Sequence, residues 1–381
     1  MRPHEETTSK IAIFVSFSGA GGVERMILNL LKGLVDLGVP LDLIPVKMES
    51  THLGALPPSV RVMDLGASHT LSSLPGLIRY LKSERPAAIL AAKDRANQTA
   101  VMAHYLAGVP TRLVLRMGTT LSGAMAGRSR IKQRFWYLRM RLLYPHADAV
   151  VAVSRGVADD LETRAFLPPS LLRVIENPVI TPELLTMANE PVDHPWFREK
   201  DCSVIIGVGR LTRQKGFMTL VRAFAKVRKS RSCRLVLLGE GRDRPRIEKL
   251  TGELGITGDV DLPGFVKNPY AYMSKAAVFA LSSAWEGSPN VLTEALALGT
   301  PVVATDCPSG PREILENGRY GPLVPIGDPA ALADAILSTL DSPIEKTLLK
   351  NAVRAYTVEA SSKRYLDLLL GKETDAPVSA I

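Results

Sequence analysis

Cysteine is scarce in this chain: Cys202, Cys233 and Cys307 stand far apart, and none sits in a CxxC pair. That excludes a disulfide scaffold or a paired-cysteine zinc site and points to a reducing compartment, so the cytoplasm is the expected location. Long apolar runs are missing as well, none approaching the ~20 residues that cross a bilayer. The opening ten residues carry Glu5 and Glu6 where a secretory signal would be basic, so no such signal is expected. There is no GxxxxGK[ST] and no complete GxGxxG, which leaves a P-loop ATPase and a dinucleotide-binding fingerprint without support. Aromatic residues make up only 6% and no nucleic-acid motif occurs, so a basic nucleic-acid-binding protein without catalysis is the weaker, contrary-class reading. What remains is a globular composition, 46% hydrophobic and 22% charged, over 381 residues. That length favours two domains.

The net charge of +9 comes from 47 Lys and Arg against 38 Asp and Glu. Much of the excess is local. Arg128, Arg130, Lys132, Arg134, Arg139 and Arg141 fall in a stretch without acids, interleaved with Phe135, Trp136, Tyr137, Leu138, Leu142, Leu143 and Tyr144. The stretch 128–144 reads either as a cationic helix snorkelling over a sheet or as a face for an anionic membrane, and the membrane is the favoured partner. Strand-like runs at 11–16, 41–46, 61–65, 87–91, 112–116 and 148–154 alternate with helix-period segments. The clearest helix places Val23, Met26, Ile27, Leu30, Leu31 and Leu34 on one face. Prolines break the pattern between residues 165 and 200, with the boundary centred on Glu176-Asn177-Pro178. A second series follows, with strands expected at 203–208, 234–238, 260–262, 278–281 and 301–305. The fold class is therefore α/β, two Rossmann-like domains facing a cleft. The expected division is 1–178, 179–351 and a terminal helical segment 352–381.

Open parallel sheets bind ligands beyond the carboxyl ends of their strands, where glycine-rich turns let backbone N–H groups approach an anion. Ser18-Gly19-Ala20-Gly21-Gly22 follows the first strand and has more small residues than a tight turn needs. Gly207-Val208-Gly209-Arg210-Leu211-Thr212-Arg213-Gln214-Lys215-Gly216 adds two cations, and an Arg fork with a Lys point charge can grip a diphosphate. Gly239-Glu240-Gly241 reads as a structural turn. After the strand at 278–281 comes Ser282-Ser283-Ala284-Trp285-Glu286-Gly287-Ser288-Pro289-Asn290, in which Ser288 is expected to cap a helix that Pro289 opens. Glu286 precedes that helix and Glu294 lies inside it; a carboxylate can accept hydrogen bonds from vicinal sugar hydroxyls. Pro311 is expected to open a further short helix.

Taken in order, Val208-Gly209-Arg210-Leu211, Gln214-Lys215-Gly216, Gly239-Glu240-Gly241, Pro263-Gly264-Phe265, the pair Glu286 and Glu294 eight positions apart, Glu294-Ala295-Leu296-Ala297-Leu298-Gly299-Thr300-Pro301-Val302-Val303 and Glu313 resemble the retaining glycosyltransferases of family four, which have the two-domain B-type fold. Gly19-Ala20-Gly21-Gly22-Val23-Glu24-Arg25 resembles the first-domain loop of the same family. The string Asp306-Cys307-Pro308-Ser309-Gly310-Pro311-Arg312-Glu313 is most similar to the branch that moves sugars from uridine diphosphate onto lipid-linked or polysaccharide acceptors.

The resemblance implies a retaining transferase that moves a hexose or N-acetylhexosamine from a UDP-sugar to such an acceptor in cell-surface glycan synthesis. Arg210 and Lys215 would hold the diphosphate, and with Glu286 they form the catalytic set. Glu294 would contact the ribose, and Glu286 with Gly287 and Ser288 the donor sugar. Gly21, Gly22, Gly209, Val266 and Asn290 complete the donor contacts, with the base near Phe265-Val266-Lys267. The terminal helix would cross back onto the first domain. Many family members place a His after the fourth or fifth strand; here that turn is Leu115-Arg116-Met117-Gly118-Thr119-Thr120. Acceptor-side candidates are Lys93, Asp94, Arg95, Asn97 and Arg116, while His104 and His146 read as packed side chains. The nucleotide-sugar is a substrate, and neither a cofactor nor a metal is expected, because cations and helix N-termini can stabilise the leaving charge. Asp259-Val260-Asp261 matches a metal-binding DxD pattern but is read as coincidence. Peripheral attachment to the cytoplasmic face of the inner membrane is expected. A same-fold epimerase or phosphorylase is the enzyme alternative.

Overall fold

The computed structural model describes residues 9–17, 22–48, 53–199 and 202–372. The chain splits into two compact units: residues up to Pro178 together with those from Val358 onward, and Val179–Thr357.

The first unit runs β1 Ile11–Phe17, α1 Gly22–Asp36, β2 Leu41–Met48, β3 Arg61–Val62, α2 Leu74–Glu84, β4 Ala88–Ala92, α3 Asp94–Ala107, β5 Arg112–Met117, α4 Leu121–Ala124, α5 Arg130–Leu143, β6 Ala149–Ala152, α6 Arg155–Ala165 and β7 Leu172–Val174. Its seven strands pair in parallel in the order β3-β2-β1-β4-β5-β6-β7. Helices cover both faces, so strands such as β4 and β6 are apolar and buried throughout. On one face Met26, Ile27, Leu30 and Leu34 of α1 pack on Ile11, Ile13 and Val15. On the other, Phe14, Ile89 and Leu115 meet Leu81, Ala100, Met140 and Leu161. Each such fully buried Leu or Ile stabilises the unit by roughly 2 kcal/mol.

The second unit continues with α7 Pro182–Met187, β8 Ser203–Val208, α8 Phe217–Ser230, β9 Cys233–Leu238, α9 Arg244–Glu253, β10 Val260–Gly264, α10 Pro269–Lys275, β11 Val278–Leu281, α11 Asn290–Leu298, β12 Val302–Thr305, α12 Pro311–Ile314, β13 Leu323–Val324, α13 Pro329–Asp341 and α14 Lys346–Ala352. Its parallel sheet has the order β10-β9-β8-β11-β12-β13. In each sheet the order reverses beside the first strand of the unit, between β1 and β4 and between β8 and β11. Those reversals are where open parallel sheets bind ligands.

Four elements depart from the sequence expectation. The short strands β7 and β13 lie among prolines, Pro168 and Pro169 before one and Pro322 and Pro325 around the other, where periodicity is too brief to read. β3 is two residues long, not five. The helix expected over 352–370 starts only at α15 Val358–Leu369; before it α14 ends at Ala352 and a 3-10 turn spans Arg354–Tyr356. The break falls where Thr357 is extended (φ −68°, ψ 150°) and forms a parallel bridge with Ile180. From Val358 the chain rejoins the first unit, where Tyr365 and Leu369 pack on the α1 face and Arg364 pairs with Glu176 and donates to the Val174 carbonyl at 2.7 Å.

Candidate active site

In the second unit, tight backbone packing at the strand ends creates the site. Gly239, after β9, has φ 134°, and a Cβ there would lie 2.1 Å from the Gly209 carbonyl, so two turns cross in contact. Gly216 has φ 64°, and its Cβ would fall 2.0 Å from the Ser282 carbonyl. That closeness lets the turn after β8 lie against the turn after β11. Ser282 Oγ donates to the Lys215 carbonyl (2.8 Å), Gln214 Nε2 to the Trp285 carbonyl (3.0 Å), and the Ala284 N–H to the Gln214 carbonyl (2.7 Å).

The product is a polar pair. Lys215 Nζ lies 2.7 Å from Glu286 Oε1, with both side chains largely buried. Ser283 Oγ donates to the same oxygen at 2.7 Å. Arg210 is exposed, and among the described residues no carboxylate engages its guanidinium. The loop after β12 leans on this turn: Ser309 Oγ donates to the Gly287 carbonyl at 2.9 Å. Beneath it the Cys307 thiol is pushed up to about 12, first by burial and then by the charge of Glu286.

The helix start differs from expectation. α11 begins at Asn290, and Pro289, not Ser288, occupies the cap position (φ −73°, ψ 97°). The ring fixes φ, but proline has no side-chain oxygen to offer, so Pro289 makes no side-chain cap hydrogen bond to the helix. Gly209, Gly287, Ser288, Asn290 and partly buried Val266 lie on the strand-end turns of this unit, and Glu294 is 1% exposed within α11. Sequence reading gave no role to Ser283, Cys307 or Ser309.

The first unit treats its candidates differently. Gly21 lies outside the described residues; Gly22 is the first residue of α1. Lys93 Nζ donates to Glu24 Oε1 and to the Ser16 carbonyl, both at 2.6 Å, from a backbone with φ 77°. Asp94 accepts from Trp136 Nε1 (2.6 Å), Tyr144 Oη (3.0 Å) and Gln98 Nε2 (2.9 Å). Asn97 and Arg116 are buried: Asn97 Nδ2 donates to the Arg116 carbonyl (3.1 Å), and Arg116 Nη2 to Asn177 Oδ1 (2.6 Å). Burial removes Asn97 and Arg116 from any direct acceptor contact in this conformation. Of the five candidates only Arg95 is exposed. His104 Nε2 donates to the Thr111 carbonyl (2.7 Å), while His146 is exposed, with its ring edge-on to Tyr105.

The DxD carboxylates are each engaged. Asp259 pairs with Arg228 and Arg234, and Asp261 accepts from His194 Nε2 at 2.9 Å. On α5, Met140 and Trp136 face inward, whereas Ile131 (81%), Phe135 (62%), Leu138 (49%) and Leu142 (61%) form an exposed apolar stripe. Among the described residues no helix is long and apolar enough to cross a membrane.

Two parallel-sheet units with glycine-rich strand ends, carrying these motifs in this order, define the class of the protein: a glycosyltransferase. Residues 21–178 match the family described as glycosyl transferase 4-like domain, and residues 202–342 the family described as glycosyl transferases group 1. The chain is 30% identical over 356 residues to the N-acetylgalactosamine-N,N'-diacetylbacillosaminyl-diphospho-undecaprenol 4-alpha-N-acetylgalactosaminyltransferase of Campylobacter jejuni, covering 91% of this chain and 94% of that protein. It is 26% identical to the lipopolysaccharide core biosynthesis glycosyltransferase LpsE of Rhizobium meliloti, covering 93% and 98%. The structure of Anabaena Alr3699/HepE in complex with UDP and glucose superposes with a TM-score of 0.76 at 20% identity, covering 95% and 100%. The chain belongs to the glycosyltransferase family that these two domains make up, and its fold is the B-type, α/β with two Rossmann-like units.

Proposed function

We propose that the protein transfers a hexose or N-acetylhexosamine from a UDP-sugar, with retention, to a lipid-linked saccharide or polysaccharide acceptor in cell-surface glycan synthesis. The observation that carries this reading is the Lys215–Glu286 pair held on laced strand-end turns, with the exposed Arg210 guanidinium, which no described carboxylate engages, on the same turn. When the bond between the sugar and the diphosphate breaks, negative charge grows on the departing phosphate. Arg210 and Lys215 stabilise that charge, and the N-terminus of α11 adds a favourable dipole. Glu286, with Gly287 and Ser288, accepts and offers hydrogen bonds to the sugar. Glu294 takes the ribose, and Gly209, Val266 and Asn290 line the nucleotide. The names of similar proteins support the acceptor class: one acts on a diphospho-undecaprenol-linked saccharide and another in lipopolysaccharide core biosynthesis.

The stripe on α5 supports peripheral attachment to an anionic membrane on the cytoplasmic side. Four exposed apolar side chains can enter the headgroup boundary while the flanking arginines meet lipid phosphates. Transfer from a panel of nucleotide-sugars to lipid-linked acceptors tests the activity. UDP donors are expected to work best and turnover to survive EDTA; activity lost to chelation and restored by manganese overturns the metal-independent reading. Flotation with anionic liposomes at moderate salt tests attachment, and protein left at the bottom of the gradient counts against it.

A further inference from the structure

We infer that Ser283 is a positioning residue for the donor-side carboxylate: it holds one oxygen of Glu286 so that the other is presented to a sugar hydroxyl. The inference rests on the reading of Glu286 as a donor-sugar contact. Ser283 is fully buried at the end of β11, and its hydroxyl donates to Glu286 Oε1 at 2.7 Å, the same oxygen that Lys215 Nζ meets at 2.7 Å. Among the described residues the second oxygen, Oε2, takes no hydrogen bond. Two donors thus converge on one carboxylate oxygen and leave its partner available.

The arrangement matters because the terminal torsion of a glutamate is broad and two-fold, so without a fixed donor to select one oxygen the two would exchange places. Lys215 alone is a poor anchor. Its ammonium is the group expected to turn toward an arriving diphosphate, which competes with Glu286 for the same charge. Ser283 is neutral and does not answer to that competition. Its own place is fixed from behind: Thr305 Oγ1 donates to the Ser283 carbonyl at 2.6 Å, and Ser282 ties the adjoining peptide to the Lys215 carbonyl at 2.8 Å. A hydroxyl at position 283 therefore keeps the carboxylate oriented while the lysine serves the phosphates.

The test compares binding of UDP with binding of UDP-glucose and UDP-N-acetylgalactosamine by calorimetry, using the full chain. For the tighter nucleotide-sugar, Ser283→Ala should weaken binding about tenfold while UDP affinity stays within about twofold, because UDP has no sugar for Glu286 to hold. Ser283→Thr, which keeps the hydroxyl, should restore most of the loss, and melting temperatures of both variants report the fold. In a Glu286→Ala background the Ser283→Ala change should cost nothing further. Ser283→Ala that binds the nucleotide-sugar like the parent, or that loses UDP and UDP-sugar equally, overturns the inference. Glu286→Ala with unaltered sugar binding overturns the donor reading on which it stands, a separately readable result.

Discussion

The carboxyl edges of the two sheets carry similar residue types and use them in opposite ways. In the second unit a lysine and a glutamate from different strand ends meet at 2.7 Å, and an arginine on the same turn stays exposed. In the first unit Lys93 and Glu24 also meet, at 2.6 Å, yet the lysine is further spent on the Ser16 carbonyl. Asp94 is filled by Trp136, Tyr144 and Gln98, and Arg116 is buried against Asn177. In the second unit Arg210 stays exposed and Glu286 Oε2 takes no described hydrogen bond, whereas of the first unit's five candidates only Arg95 is exposed.

The largest expected effect separates the two lysines. Lys215→Met should lower kcat/KM for the donor by 100-fold or more, on the order of 3 kcal/mol of transition-state stabilisation, since it strips a cation from the departing diphosphate and from Glu286. Lys93→Met should instead cost about 2–3 kcal/mol of stability, because Glu24 is left buried without its cation, while donor KM stays near that of the parent. Steady-state kinetics with denaturant titration reads both. A Lys93 variant that keeps its stability and loses donor affinity would break the contrast between the edges.

A smaller effect is expected at the guanidinium of the first unit. Arg116→Met keeps most of the buried volume but leaves Asn177 Oδ1 without that donor, which should destabilise by about 1–3 kcal/mol. Donor and acceptor KM values should stay within about twofold if Arg116 is structural. A selective rise in acceptor KM at normal stability would return Arg116 to the acceptor side.

These contrasts show what periodicity and motif order can convey. The amphipathic α1, the alternation of strands with helices and the glycine turns with Arg210, Lys215 and Glu286 were readable, because each depends on spacing within a few residues. The fates of Lys93, Asp94 and Arg116 were not. Each depends on a group 42 to 77 positions away, such as the Trp136 indole, the Ser16 carbonyl or the Asn177 amide, which only the folded sheet brings near. Ser283 was hidden for a different reason: a serine next to another serine in a loop carries no periodic signal. The break before α15 was missed because it is set by the bridge from Thr357 to Ile180, not by any breaker residue of its own.

The mildest test concerns neutral acids beneath each edge. Under Glu286 lies the Cys307 thiol, pushed up to about 12 by burial and the nearby carboxylate. Beside Asp94 lies the Tyr144 phenol, raised well above its ordinary value by burial and then by the Asp94 charge. Each is protonated in the folded chain at a pH where the unfolded chain would already ionise it. Their contribution is thus whole below the unfolded value, near 9 for Cys307, and is lost as pH rises toward 12. Cys307→Ser removes that titration from the second unit alone. Denaturant titrations at pH 7.5 and 10.5 should show the parent losing about 2 kcal/mol more than the variant across this interval. Tyr144→Phe should flatten the slope only at the upper end, since a free phenol ionises later than a free thiol. Equal alkaline slopes in the parent and the Cys307→Ser protein would mean that the thiol is not held neutral beneath Glu286. The carboxylate would then share its floor with a second ionisable charge, and the open edge would be less sharply tuned than the closed one.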